Sequence, residues 1–81
     1  MDQRQILSVL QDVVRETFFD PSLVIDQATI AEDVDGWDSL SHVHLMMNVE
    51  QRFAIKLTAQ EAGRLRHVGD LLALIAGKLQ S

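Results

Sequence analysis

Residues 35–53 read DGWDSLSHVHLMMNVEQRF. The stretch opens acidic and glycine-containing and then turns apolar with a three-four spacing, so it is a loop running into a helix over residues 39–53. Asp38 or Ser39 stands where the N-cap belongs. At about 100° per residue, Leu45, Met46, Val49 and Phe53 share one arc of roughly 100°, the face for a core. Leu40, Val43 and Met47 lie on a different side, again three and four apart. A small bundle buries one stripe of a helix. The second stripe either meets another segment of the chain or is an exposed docking strip for a partner, and spacing leaves both open.

Outward from this helix, residues 2–18 carry Ile6, Leu7, Leu10, Val13, Val14 and Phe18 on one helical face, with Asp2 near the positive end of the dipole. The Asp20-Pro21 step disfavours helix at residue 20 and is expected to end the element. Residues 19–38 form a long connection holding six of the twelve acidic residues. Leu23, Ile25, Ile30 and Val34 can pin it to the bundle, and a loop of this length in a compact domain tends to be functional. Thr58 with Glu61 three residues on is a capping-box pattern that predicts a short helix over 59–65. Residues 68–79 read as the last helix, with Leu71, Leu72, Ile75 and Leu79 in register. The predicted fold is all-α, one domain over 1–81: three main helices, one short helix, and a long acidic loop between the first and second.

Composition narrows the function. Eighty-one residues leave room for one small core and little for a substrate cleft flanked by catalytic loops. A net charge of −5 argues against nucleic acid and against an anionic membrane surface, and favours partners with basic patches. Cysteine is absent, which removes disulfides, thiolate nucleophiles and zinc thiolate sites. The amphipathic, charged N-terminus is no signal peptide and no apolar run is long enough to span a membrane. A cytoplasmic monomer is expected.

Ser39 admits four readings. A calcium loop with Gly36 at its sixth position would need ligands at Ala31 and His42, and both the first ligand and the final glutamate are missing. A hydrolase nucleophile would use Asp38, Ser39 and His42, but Ser39 lacks the flanking glycines of a nucleophile elbow, and His42 falls on the core-facing arc. A plain N-cap is the bland reading. The last is a covalent attachment point: a hydroxyl at a helix N-terminus sits beside free backbone N–H groups that favour a phosphodiester.

The stretch 35–53 resembles part of an acyl carrier protein or peptidyl carrier domain, a family with an Asp-Ser-Leu motif opening its second helix. Phe53, Ile55 and Leu57 match the run that closes that helix, and Val68-Gly69-Asp70-Leu71 matches the start of the last one. The resemblance covers essentially the whole chain. It implies an acyl-carrier-protein-like bundle that is not itself an enzyme. By that resemblance Ser39 carries a 4′-phosphopantetheine arm, delivered from coenzyme A by a phosphopantetheinyl transferase. The arm's thiol would hold an acyl, aminoacyl or polyketide group as a thioester. Partners would then be the transferase, a loading ligase or acyltransferase, and downstream biosynthetic enzymes. Leu40, Val43 and Met47 match the family's exposed partner-facing positions, and Asp38 would orient the transferase or act only as a local cap. Leu45, Met46, Val49 and Phe53 match the core that opens to shelter a short chain, and Trp37 is expected to pack across the loop and the bundle end. His44, Gln51 and Arg52 depart from the glutamate-rich second helix of fatty-acid-synthesis carriers, which points toward a specialised pathway. The alternative is a small helical interaction module with no prosthetic group.

Overall fold

Asp2 starts the first helix, α1 (Gln3–Thr17). Its carboxylate accepts the Gln5 N–H at 2.9 Å and the Gln5 side chain accepts the Asp2 N–H at 2.9 Å, a reciprocal capping box. The computed structural model describes residues 1–80. Ser81, the last residue of the expected domain, lies outside the described residues. The other helices are α2 (Ser39–Phe53), α3 (Ala59–Gly63) and α4 (Val68–Gln80), with a single 3-10 turn at Ala31–Asp33. The architecture is all-helical among the described residues, as predicted. Helix α3 stops two residues short of the expected 65, and Leu65 instead packs in against the core.

Helix α1 packs on α2 and α4. Ile6, Leu10, Val13 and Val14 meet Leu45, Met46, Val49 and Phe53 and also Val68, Leu71, Leu72 and Ile75, all buried. These positions are the single stripe that each helix can bury. Two expectations fail at the edges. Leu79 keeps the α4 register but is exposed; Ile30 is exposed while Leu23, Ile25 and Val34 do pin the loop. Helix α1 ends earlier than the Asp20-Pro21 step requires. Its stop is a left-handed backbone at Phe19, φ 54°.

The long connection is ordered by its own polar groups. The Arg15 guanidinium donates to the Leu23 carbonyl, and the Ile25 N–H donates to Gln11 Oε1 at 3.1 Å. The Asp20 carboxylate caps Ser22, and Asp26 caps Ala28, which are Asx turns. The loop also serves α4. The first N–H groups of a helix have no intrahelical acceptors; here Val68 N–H donates to the Thr29 carbonyl and Gly69 N–H to the Gln27 carbonyl, both at 2.8 Å. A Cβ at Gly69 would stand 3.0 Å from that Gln27 oxygen, so the approach needs glycine. Between α3 and α4, Lys78 Nζ stands 2.9 Å from a Glu61 carboxylate oxygen.

Candidate functional site

The N-terminus of α2 separates its two serines. Asp38 is the N-cap: its carboxylate accepts the Ser41 N–H at 2.9 Å, and Ser41 Oγ accepts the Asp38 N–H at 2.8 Å. Ser41 Oγ then donates to the Gly36 carbonyl at 2.8 Å, which the left-handed Gly36 (φ 86°) turns toward it. The cap belongs to Asp38 and Ser41, and the plain-cap reading of Ser39 is corrected. Ser39 is the first helical residue, exposed, and its hydroxyl makes no hydrogen bond among the described residues. The Ser41 backbone N–H, and then its hydroxyl, hold the Asp38 carboxyl below the usual aspartate range.

Trp37 and His42 build the wall beside Ser39. The indole N–H donates to His42 Nδ1 at 3.0 Å, and His42 Nε2 lies 3.1 Å from the Ala62 carbonyl. Nδ1 is thus an acceptor and Nε2 a donor, which defines the Nε2–H tautomer. Both ring nitrogens are committed, neither to Ser39, so the hydrolase reading loses its base. Trp37 also packs in a tilted arrangement against Phe18, ring centroids 5.5 Å apart, and so spans the loop and the bundle end as expected. The described residues contain no cluster of three or more acidic or histidine side chains able to hold a metal.

Ser39 stands on the rim of a groove of about 450 Å³ between α2, α3 and the start of α4. Trp37, Met46, Ala62, Leu65, Val68 and Leu71 make its apolar lining; His42, Arg66 and His67 give it polar edges. Of the four core residues expected to shelter a chain, only Met46 faces this groove. Leu45, Val49 and Phe53 are sealed against α1 and α4. The remaining lining comes from the long loop, the first turn of α2, α3, the start of α4 and the segment between α3 and α4.

The second stripe of α2 is exposed: Leu40 is 68%, Val43 54% and Met47 52% accessible. No other segment of the described chain covers it, so the reading in which this stripe meets another part of the chain is set aside. Ser39, Leu40, Val43 and Met47 lie along one accessible edge of α2, with Asp38 capping its head.

A helical bundle with an unengaged serine at the head of its second helix, an apolar groove beside it and an apolar strip below it has the layout of a carrier domain. No family model matches the chain. It is 35% identical over 80 residues to an acyl carrier protein of Thermosynechococcus vestitus, covering 98% of each. It is 32% identical to a meromycolate extension acyl carrier protein of Mycolicibacterium aurum, over 90% of this chain and 75% of that one. A solution structure of a holo acyl carrier protein from Geobacter metallireducens superposes with a TM-score of 0.85 at 40% identity, over 91% of this chain and 85% of that one. A crystal structure of an acyl carrier protein from Thermotoga maritima shares the fold, with a TM-score of 0.84 at 22% identity over 99% and 93% of the two chains. The chain belongs to the acyl carrier protein family. Its role is that of an acyl carrier, a protein that works with biosynthetic enzymes. No helix among the described residues is long and apolar enough to cross a membrane.

Proposed function

We propose that Ser39 is the attachment point of a 4′-phosphopantetheine arm, taken from coenzyme A by a phosphopantetheinyl transferase. The observation that carries this is the contrast between the two serines: Ser41 is consumed by the cap, and Ser39 offers a free, exposed hydroxyl. In the transfer, Ser39 Oγ forms a bond to the phosphorus that carries the pantetheine, the bond from that phosphorus to the adenosine bisphosphate breaks, and the hydroxyl proton leaves. The residues present fit the group. A phosphodiester on Ser39 Oγ lies at the positive end of α2, beside backbone N–H groups of its first turn. When bound, the arm supplies a thiol that holds the acyl group as a thioester. The groove beside Ser39 gives the arm and its cargo an apolar surface bounded by Trp37, Met46, Leu65 and Val68.

Asp38 keeps the first turn of α2 formed and so holds Ser39 in place. Leu40, Val43 and Met47 form the strip on which the transferase and the loading and downstream enzymes dock, as a monomeric carrier in the cytoplasm requires. The chain itself performs no chemistry on the cargo. Incubation with coenzyme A and a broad-specificity transferase, followed by intact mass measurement, tests the assignment. The parent chain and Ser41→Ala should each gain one arm, and Ser39→Ala should gain none. An arm on Ser39→Ala would sink the proposal.

A further inference from the structure

Helix α3 is too short to hold itself. Its five residues, Ala59–Gly63, make little more than one turn, and isolated helices under about 12 residues are marginal in water. None of the five is fully buried. Apolar packing reaches this segment only through the partly buried Ala62 and the Leu65 that follows it. Polar fasteners hold it at three points. Thr58 and Glu61 close the box at its start. Glu61 pairs with Lys78 of α4 at 2.9 Å. In its last turn, where carbonyls lack intrahelical donors, the Ala62 carbonyl receives His42 Nε2 at 3.1 Å.

The His42 fastener differs from the other two in its place. Glu61 and Lys78 do not line the groove, whereas His42 lines it together with Ser39, Trp37 and Ala62. The imidazole is held from its other side as well. The indole N–H donates to Nδ1 at 3.0 Å, the two rings lie 25° from parallel with centroids 6.1 Å apart, and Trp37 rests against Phe18. Two hydrogen bonds in series therefore run from the loop through α2 to α3 and set how far α3 stands from α2. A side chain that only filled space would need neither nitrogen. The neutral Nε2–H imidazole serves both bonds at once, accepting at one nitrogen and donating at the other.

Resting on the reading that the groove shelters the arm and its cargo, we propose that His42 is the positioning residue of that shelter. It holds α3 as a lid beside Ser39 and limits the access of dissolved nucleophiles to the thioester. The cargo this suits is an apolar acyl chain, because Met46, Ala62, Leu65, Val68 and Leu71 give the groove an apolar surface. When the two bonds part, α3 opens locally while the core stays folded, and the thioester is exposed.

The test uses the full chain, loaded at Ser39 by the broad-specificity transferase from octanoyl-coenzyme A. Hydroxylamine then forms a C–N bond at the thioester carbonyl, the C–S bond breaks, and the arm's thiol is released, which intact mass follows. The parent should react more slowly than free octanoyl-coenzyme A. His42→Leu keeps an apolar side chain and loses both bonds. Its thioester should be cleaved about three- to tenfold faster, the change in open population that a hydrogen bond of ordinary strength controls. His42→Gln, whose amide both accepts and donates, should recover part of the protection. Trp37→Phe, which keeps a ring and loses the indole N–H, should fall between parent and His42→Leu; it carries the test alone if His42→Leu does not fold. Val14→Ala separates positioning from plain stability, since Val14 is buried on α1 and the change leaves both His42 bonds in place. It should keep the parent's cleavage rate. The α3 amides of Ala62 and Arg64, bonded to the Thr58 and Glu61 carbonyls, should exchange faster in His42→Leu and not in Val14→Ala. An equal rise in Val14→Ala would mean that cleavage follows global unfolding, and would overturn the proposal. A parent cleaved as fast as octanoyl-coenzyme A would overturn the shelter and the lid together. A protected parent with an equally protected His42→Leu removes the lid alone. Failure of the parent to take up the arm overturns the assignment of Ser39 and everything resting on it.

Discussion

The two sides of α2 carry similar side chains into opposite surroundings. Leu45 and Val49 are sealed against α1 and α4, while Leu40 and Met47, on the same helix, stand in water. Fully burying one such side chain is worth about 1.5–3 kcal/mol. The buried side realises that energy in folding. The exposed side leaves it available for association, where only the surplus over ordering costs appears as affinity. An apolar stripe thus states that something will cover it, and does not state whether the cover comes from the same chain.

Leu45→Ala is the change with the largest expected effect on this contrast. A fully buried leucine truncated in a tight core should lose about 2–5 kcal/mol, a large share of the 5–15 kcal/mol typical of a domain. Denaturant midpoints would show it. Leu40→Ala should stay within about 0.5 kcal/mol. Equal losses at both positions would break the contrast.

Met47→Glu sharpens it from the other side. Its melting temperature should stay close to the parent's, while transfer of the acyl group to or from a partner enzyme slows by about an order of magnitude, the loss of one interface contact worth ~1.4 kcal/mol. Were Met47 a core residue, an unpaired buried charge would destabilise by several kcal/mol. A large fall in melting temperature would therefore return Met47 to the core.

The smallest effect concerns the cap at the head of both stripes. The Asp38 carboxyl ionises below its ordinary value of 3.8 because the Ser41 N–H favours the charged form. A group depressed in this way contributes stability that is complete above the ordinary range and is lost as pH falls through the folded value. Asp38→Asn keeps an acceptor for the Ser41 N–H and does not titrate. Between neutral pH and about pH 4 the two proteins should run in parallel. Below that, the parent should lose stability faster by a small margin. Glu61 and Asp70, depressed chiefly by the backbone N–H groups of Thr58 and Arg66, titrate in both proteins and cancel in the difference. Parallel acid unfolding curves would show that the Asp38 bond adds nothing.

Much of the fold was legible residue by residue. Helix α2 spans the predicted 39–53, α4 begins at the predicted Val68, and Thr58 with Glu61 forms the expected box. These features rest on contacts three or four residues apart, which a sequence displays directly. The candidate site was legible only in part. The Asp-Ser-Leu pattern singled out Ser39, but its neighbour Ser41 takes the capping role, through a turn at Gly36 that no helical periodicity describes. The end of α1 was expected from Pro21 and comes from Phe19, because the Schellman bonds, from the Asp20 N–H to the Arg15 carbonyl and from the Phe19 N–H to the Glu16 carbonyl, override the preference for glycine there.

The sequence by itself determined where the helices run, which stripe of each is apolar, and that a serine heads the second. Those follow from local geometry and side-chain chemistry. Tertiary structure alone decided that Leu40, Val43 and Met47 stay uncovered. It also decided that Trp37 and His42 join α2 to α3, and that a groove opens beside Ser39. The physical reason is that the groove's lining is drawn from segments up to some forty residues apart. Packing of α1 against one side of α2 leaves the other side largely uncovered by the described residues.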